Sequence, residues 1–233
     1  MTVSEQLIDV PYEGHADIPC SIWSTTETPR GVVLLGHGLG VDRYDITVRR
    51  PMEILAQEHQ AAVVVPEIPL HGVRSELPDD PSAIVDRWQE FWVSGGIQSI
   101  CGELQQITRF CEEFFGGLPL AYFGASLGTQ YGIPFLARAD GIQSAVLGLF
   151  GSQPPPKTPV MNRFAPAVCC PVYFIQKLDD EVHSADSTAH LFSTLGSAEK
   201  IMDSTSGKHR ETSMETLQKA CAFLVDRGQF HDA

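Results

Sequence analysis

At 233 residues, with 43% hydrophobic and 19% charged residues, the chain can bury one large core, which excludes a disordered or fibrous protein. Its formal net charge of -13 would repel a phosphate backbone, and apart from Arg49-Arg50 the basic residues are scattered, so nucleic acid is excluded as a partner. No run of about 18 apolar residues occurs, and MTVSEQLIDV lacks a basic stretch followed by an apolar one, so the expectation is a cytoplasmic protein with no membrane span and no standard secretory signal.

Gln6 to Val10 and Ile18 to Trp23 read as two short strands joined through the turn-prone Pro11-Tyr12-Glu13-Gly14 region, an antiparallel start. The period then changes. Gly31 to Gly36 and Ala61 to Val65 are continuous apolar runs, as expected for strands covered on both faces. Between them, Thr47 to His59 carries Val48, Met52, Ile54, Leu55 and Ala56 at roughly helical spacing, and strand, helix, strand implies a parallel crossover. Ile97 to Phe115 is a second amphipathic helix, with Ile100, Cys101, Leu104, Ile107, Phe110, Cys111 and Phe114 at three- and four-residue steps.

That helix leads into Leu118 to Tyr131, LPLAYFGASLGTQY, an apolar strand that breaks sharply at Gly124-Ala125-Ser126-Leu127-Gly128. This is the G-x-S-x-G nucleophile elbow, in which glycines flank a serine forced onto a tight strand-to-helix turn. Such a pattern arises by accident in about one chain in ten of this length, so the partners and their order decide. Further on come a helix at Thr129 to Arg138, strands at Ser144 to Phe150 and Val172 to Gln176, and a helix at Ser187 to Leu195. A strand at Glu199 to Met202 and a closing helix from Thr212 to Val225 complete the chain. The alternation predicts a single α/β domain over residues 1–233: a mostly parallel central sheet with helices on both faces and no separate lid domain. Two segments fall outside the pattern, Pro66 to Pro81 and the proline-rich Gln153 to Pro166 with Pro154-Pro155-Pro156. Both are expected to border a site at the carboxyl ends of the strands.

A serine hydroxyl needs a base, and the first choice is His209, on the small-residue loop between a late strand and the last helix. His37, His71 and His183 also fall on loops and stay open as site residues. The imidazole needs a carboxylate, and Asp179-Asp180-Glu181 follows the strand Val172 to Gln176. Asp179 ranks first because it stands three residues past the strand end, with Asp180 as its rival. Donors for an oxyanion follow the strand Gly31 to Gly36 in His37-Gly38-Leu39-Gly40, where the backbone N–H of Leu39 and that of Leu127 could converge. Pocket edges are expected from His37, Gly38, His71, Phe150, Met161 and Phe164, together with Leu39, Leu127 and Val160. The six cysteines show no C-x-x-C spacing and read as reduced thiols, with vicinal Cys169-Cys170 just before a strand.

In the order nucleophile, acid, base, the chain resembles the α/β-hydrolase superfamily over nearly its full length, and its compact size is similar to the dienelactone hydrolase and small serine esterase branch. The resemblance implies Ser126 as nucleophile, Asp179 or Asp180 as acid, His209 as base, Leu39 and Leu127 as oxyanion donors, and a pocket bordered by Pro69-Leu70-His71-Gly72-Val73-Arg74. It implies a small-molecule ester as substrate and neither metal nor organic cofactor. Dienelactone hydrolases carry a cysteine where this chain has Ser126, which favours a plain ester over a chlorinated lactone. A thioesterase or small peptidase uses the same triad, and a non-catalytic small-molecule-binding module is the alternative from another class. Oligomeric state and physiological substrate are not legible in these residues.

Overall fold

The apolar runs become the centre of one sheet. In the computed structural model, which describes residues 2–25, 28–75, 81–152 and 159–230, β1 (Ser4–Val10) and β2 (Ile18–Ser24) pair antiparallel, and β2 pairs antiparallel with β4 (Ala62–Pro66). Every other pairing is parallel, through β3 (Val32–Gly36), β5 (Leu120–Gly124), β6 (Ile142–Gly148), β7 (Val172–Lys177) and β8 (Lys200–Thr205). The eight strands lie in the order β1-β2-β4-β3-β5-β6-β7-β8. β3, β4 and β5 are buried along their whole length, which is why they read as unbroken apolar runs, whereas β8 at the edge is half exposed.

Alternation within a strand divides the core into two layers. Val32 and Leu34 of β3 face one cluster, Val33 and Leu35 the other. The second cluster is closed by α1 (Ile46–His59), through Val48, Met52 and Leu55, and by α7 (Met214–Arg227), through Leu217, Cys221 and Leu224. Against the first lie α2 (Pro81–Phe91), α3 (Ile97–Phe114), α4 (Leu127–Leu136), α5 (Pro159–Phe164) and α6 (Ala185–Thr194). Asp45 starts α1 by accepting the Thr47 N–H at 2.9 Å, and Gln60, at φ 55°, ends it. α2 and the wide turn Trp92–Gly96 that joins it to α3 are additions to the elements expected from the sequence; Trp88 of α2 and Trp92 of the turn are buried. Residues 76–80 and 153–158, with Pro154-Pro155-Pro156, lie outside the described residues.

The strand order locates the place where a site can form. From β3 the chain moves through α1 to β4 on one side; it then returns to place β5 on the other side of β3 and continues outward to β8. The loops leaving β3 and β5 therefore diverge at adjacent strand ends. That reversal opens a crevice at the carboxyl edge of the sheet, where open α/β sheets hold their ligands.

Candidate active site

Ser126 stands on that crevice, directly after β5, with φ 56° and ψ -119°. Such angles cost a non-glycine residue free energy, so the turn must be held by its neighbours. The Ser126 N–H donates to Gly148 O at 2.9 Å, and the Thr129 hydroxyl, which accepts the Gly148 N–H, lies 2.7 Å from both Gly124 O and Gly148 O. The glycines are required by space. A Cβ on Gly124 would lie 2.6 Å from Gly128 O, and one on Gly128 would lie 3.0 Å from Gly36 O, because the first turn of α4 is pressed against the end of β3.

The imidazole of His209 joins Ser126 to a carboxylate. Its Nε2 lies 2.9 Å from Ser126 Oγ and its Nδ1 2.8 Å from Asp180 Oδ2, whose side chain has no solvent exposure. The sequence ranks Asp179 before Asp180, and it is Asp180 that meets the ring. β7 runs one residue further than Val172 to Gln176, to Lys177, so the position three residues past the strand is Asp180. Asp179 Oδ2 instead accepts the Gly207 N–H at 2.9 Å, and Glu181 Oε2 accepts the His209 N–H at 3.0 Å. Each of the three consecutive acids thus holds a different donor of the histidine loop. Burial pushes the Asp180 carboxyl up, but the N–H groups of His183 and Val182 and the His209 ring outweigh it and leave it below the ordinary aspartate value.

A buried lysine supports the same loop from below. Lys177 is 2% exposed, and its Nζ donates to Thr205 Oγ1 at 2.9 Å and to Ser206 O at 3.1 Å. Beside the imidazole lies His183, with ring centroids 6.0 Å apart, and Phe150 packs on the other side of His183 at 4.7 Å. Burial, and next the neighbouring His209 ring, hold His183 below the ordinary histidine value.

The two N–H groups expected to face an oxyanion are both uncommitted: among the described residues, neither Leu39 N–H nor Leu127 N–H has an intrachain acceptor. Leu127 opens α4, so its N–H also carries the positive end of the helix dipole. The loop that bears Leu39 starts at His37, whose carbonyl accepts from Tyr131 Oη of α4 at 3.3 Å.

The expected pocket edges are only partly assembled. Gly38 lies on the loop with Leu39, and Phe150 reaches the site through His183. His37 and His71 are each 1% exposed and form the floor under the loop, with ring centroids 5.1 Å apart, and His71 also packs on Trp88 at 5.6 Å. Met161, 3% exposed, belongs to the core. Phe164 packs its ring 4.5 Å from the guanidinium of Arg138, a residue that follows the C-terminal end of α4, whereas Ser126 precedes its start. Among the described residues no group of three or more His, Cys, Asp or Glu is placed to hold a metal ion, and no helix is long and apolar enough to cross a membrane.

Comparison with solved structures places this arrangement. A PEG-bound cold-adapted esterase from an Arctic intertidal metagenomic library superposes with a TM-score of 0.83 at 27% identity, over 97% of this chain and 94% of that one. This is the α/β-hydrolase fold. The dienelactone hydrolase of Anabaena variabilis has this fold as well, superposing at a TM-score of 0.72 and 16% identity, over 96% of this chain and 97% of that one. The protein TT1662 of Thermus thermophilus shares the fold too, at a TM-score of 0.76 and 18% identity, over 98% and 99% of the two chains. No protein-family model matches this α/β-hydrolase-fold sequence, and no curated protein sequence does.

Proposed function

We propose that the protein is a serine hydrolase of carboxylic esters. The observation that carries this reading is the position of one imidazole, 2.9 Å from Ser126 Oγ and 2.8 Å from Asp180 Oδ2. Its support in the comparisons is a neighbouring solved structure described as an esterase, similar over almost the whole length of both chains.

In this reading Ser126 Oγ attacks the ester carbonyl while His209 Nε2 takes its proton. Asp180, ionised at neutral pH, keeps the other imidazole proton on Nδ1 and stabilises the imidazolium that forms. The N–H groups of Leu39 and Leu127 receive the negative oxygen of the tetrahedral intermediate. His209 then gives its proton to the departing alcohol, and on the return cycle draws a proton from the water that releases the acyl group. The strain at Ser126 serves the same end, since it holds Oγ out of the sheet edge and leaves the first turn of α4 beneath it.

The substrate we assign is a short to medium acyl ester of an uncharged alcohol. Leu39 on the oxyanion loop and Phe150 beside His183 supply apolar surface near Ser126. The chain acts as a single domain without a separate lid. Steady-state hydrolysis of p-nitrophenyl acetate and butyrate tests the reading. The wild type should turn both over, and Ser126→Ala should lose on the order of a millionfold in kcat. Faster turnover of an acyl-CoA than of the matched simple ester would overturn the substrate assignment, and equal rates in wild type and Ser126→Ala would overturn the mechanism.

A further inference from the structure

A backbone donor can be placed only by whatever holds its loop, and the loop carrying Leu39 has little of its own to hold it. Gly38 and Gly40 flank Leu39, Gly40 at φ 71°. Tyr131 and His71 meet its start, and one buried acid reaches both of its ends. Glu67, the residue after β4, is 1% exposed; its Oε1 lies 3.4 Å from His37 Nε2 and its Oε2 3.7 Å from Arg43 Nε. His37 begins the loop, and Arg43, itself 7% exposed, lies near its end. One carboxyl group therefore touches both sides of the segment that presents the Leu39 N–H.

Glu67 is itself tightly anchored. Its N–H donates to Pro19 O at 2.8 Å, and its carbonyl accepts from Arg74 Nη1 at 3.0 Å. Arg74 in turn forks onto Glu103 of α3 at 2.7 and 2.9 Å, which ties this backbone to the helix layer. The chain passes so close over the carboxyl that a Cβ on Gly72 would lie 2.3 Å from Glu67 Cδ, which explains the glycine at that place. An acid buried this deeply is costly unless its partners need it, and an apolar side chain would fill the space without that cost.

We propose that Glu67 is a positioning residue for the oxyanion-binding loop, holding His37 and Arg43 so that the Leu39 N–H points at the substrate oxygen. This rests on the serine-hydrolase reading. The contacts also indicate what kind of group the position needs. The His37 ring, held neutral by burial and pushed down to about 3, commits its Nδ1–H to Gly38 O at 3.0 Å, and its Nε2 accepts the Ile68 N–H at 3.3 Å. The single lone pair of Nε2 thus lies toward both the Ile68 N–H and Glu67 Oε1, so a hydrogen on the position-67 side chain would share it in a three-centre bond, and Oε1 has no hydrogen-bond partner among the described residues. Burial pushes the Glu67 carboxyl above the ordinary glutamate value, against the pull of Arg43. A glutamine amide would offer the same donor to His37 permanently while keeping an oxygen toward Arg43.

The test compares Glu67→Ala, Glu67→Gln and Arg43→Met with the wild type on p-nitrophenyl butyrate, with circular dichroism to verify folding. Glu67→Ala should lose about tenfold to a hundredfold in kcat with KM changed by less than about threefold, because only the transition state uses the displaced donor. Glu67→Gln should stay within about threefold of the wild type, and a trifluoromethyl ketone, whose adduct oxygen uses the same N–H, should bind Glu67→Ala more weakly by the factor lost in kcat/KM. A folded Glu67→Ala with wild-type kcat, or one changed only in KM, would overturn the proposal. If Glu67→Ala does not fold, Arg43→Met decides in its place: a loss confined to kcat supports the clamp, and wild-type kcat overturns it. An inactive wild type would instead overturn the hydrolase reading beneath it.

Discussion

Replacing Asp180 by asparagine should do more than remove a charge, because the surrounding donors dictate how the amide sits. Asp180 Oδ1 accepts from the N–H groups of Val182 at 2.7 Å and His183 at 3.0 Å, while Oδ2 meets His209 Nδ1 at 2.8 Å. The asparagine NH2 cannot face the two N–H donors, so its oxygen takes that side and its nitrogen turns toward His209. Nδ1 must then become the acceptor, which moves the ring proton to Nε2, where it points at Ser126 and leaves no base. Loss of the carboxylate with the wrong tautomer is expected to lower kcat by about 10^4-fold, or about 5 kcal/mol in the transition state. Asp179→Asn loses nothing comparable: the amide oxygen can still accept the exposed Gly207 N–H, and kcat should stay within about threefold. Steady-state kinetics on p-nitrophenyl butyrate separates the two. An Asp179→Asn as damaged as Asp180→Asn, or an Asp180→Asn within about tenfold of the wild type, would refute the assignment of Asp180 as the acid.

Gly124→Ala sets a Cβ 2.6 Å from Gly128 O, a backbone atom that can yield only by moving the elbow; a loss of about 1–3 kcal/mol in urea unfolding is expected, accompanied by lower kcat. Stability should also fall on acidification because of His37, which burial pushes down to about 3 in the fold. Below the ordinary value of 6.5 the unfolded chain binds a proton that the folded chain does not. The contribution is therefore complete above pH 6.5 and is lost progressively toward pH 3, at up to about 1.4 kcal/mol per pH unit. Urea unfolding between those limits should show a shallower pH slope for His37→Asn than for the wild type. Arg210→Ala, which removes an exposed pair with Asp45 at 3.1 Å, should leave stability within about 1 kcal/mol by the same measurement.

Much of the fold is legible because burial on two faces writes itself as unbroken apolar runs: Val32 to Leu35 and Ala62 to Val65 leave little choice of state. The elbow is legible for a steric reason, since only glycines tolerate the approaches at positions 124 and 128. The acid was harder to place. Asp179 and Asp180 differ by one residue, and the extra residue of β7 that brings Asp180 rather than Asp179 to the His209 ring is Lys177, a charged side chain buried by two hydrogen bonds that no hydropathy pattern anticipates. α2 is not legible in the sequence because its described side chains make no apolar stripe: Trp88 is buried while Val85 is exposed. The apolar character of Phe164 alone does not distinguish a pocket edge from a partner for Arg138. Glu67 had a signal, an acid directly after an all-apolar strand, but its meaning depends on where His37 and Arg43 lie.

The most direct test of the proposed triad is the intact mass of the protein after exposure to a fluorophosphonate near neutral pH, with Ser126→Ala and His209→Ala alongside. An activated Ser126 predicts one adduct on the wild type, none on Ser126→Ala, and much slower labelling of His209→Ala. A folded wild type that takes up no adduct, or a Ser126→Ala that is labelled as readily, would contradict it.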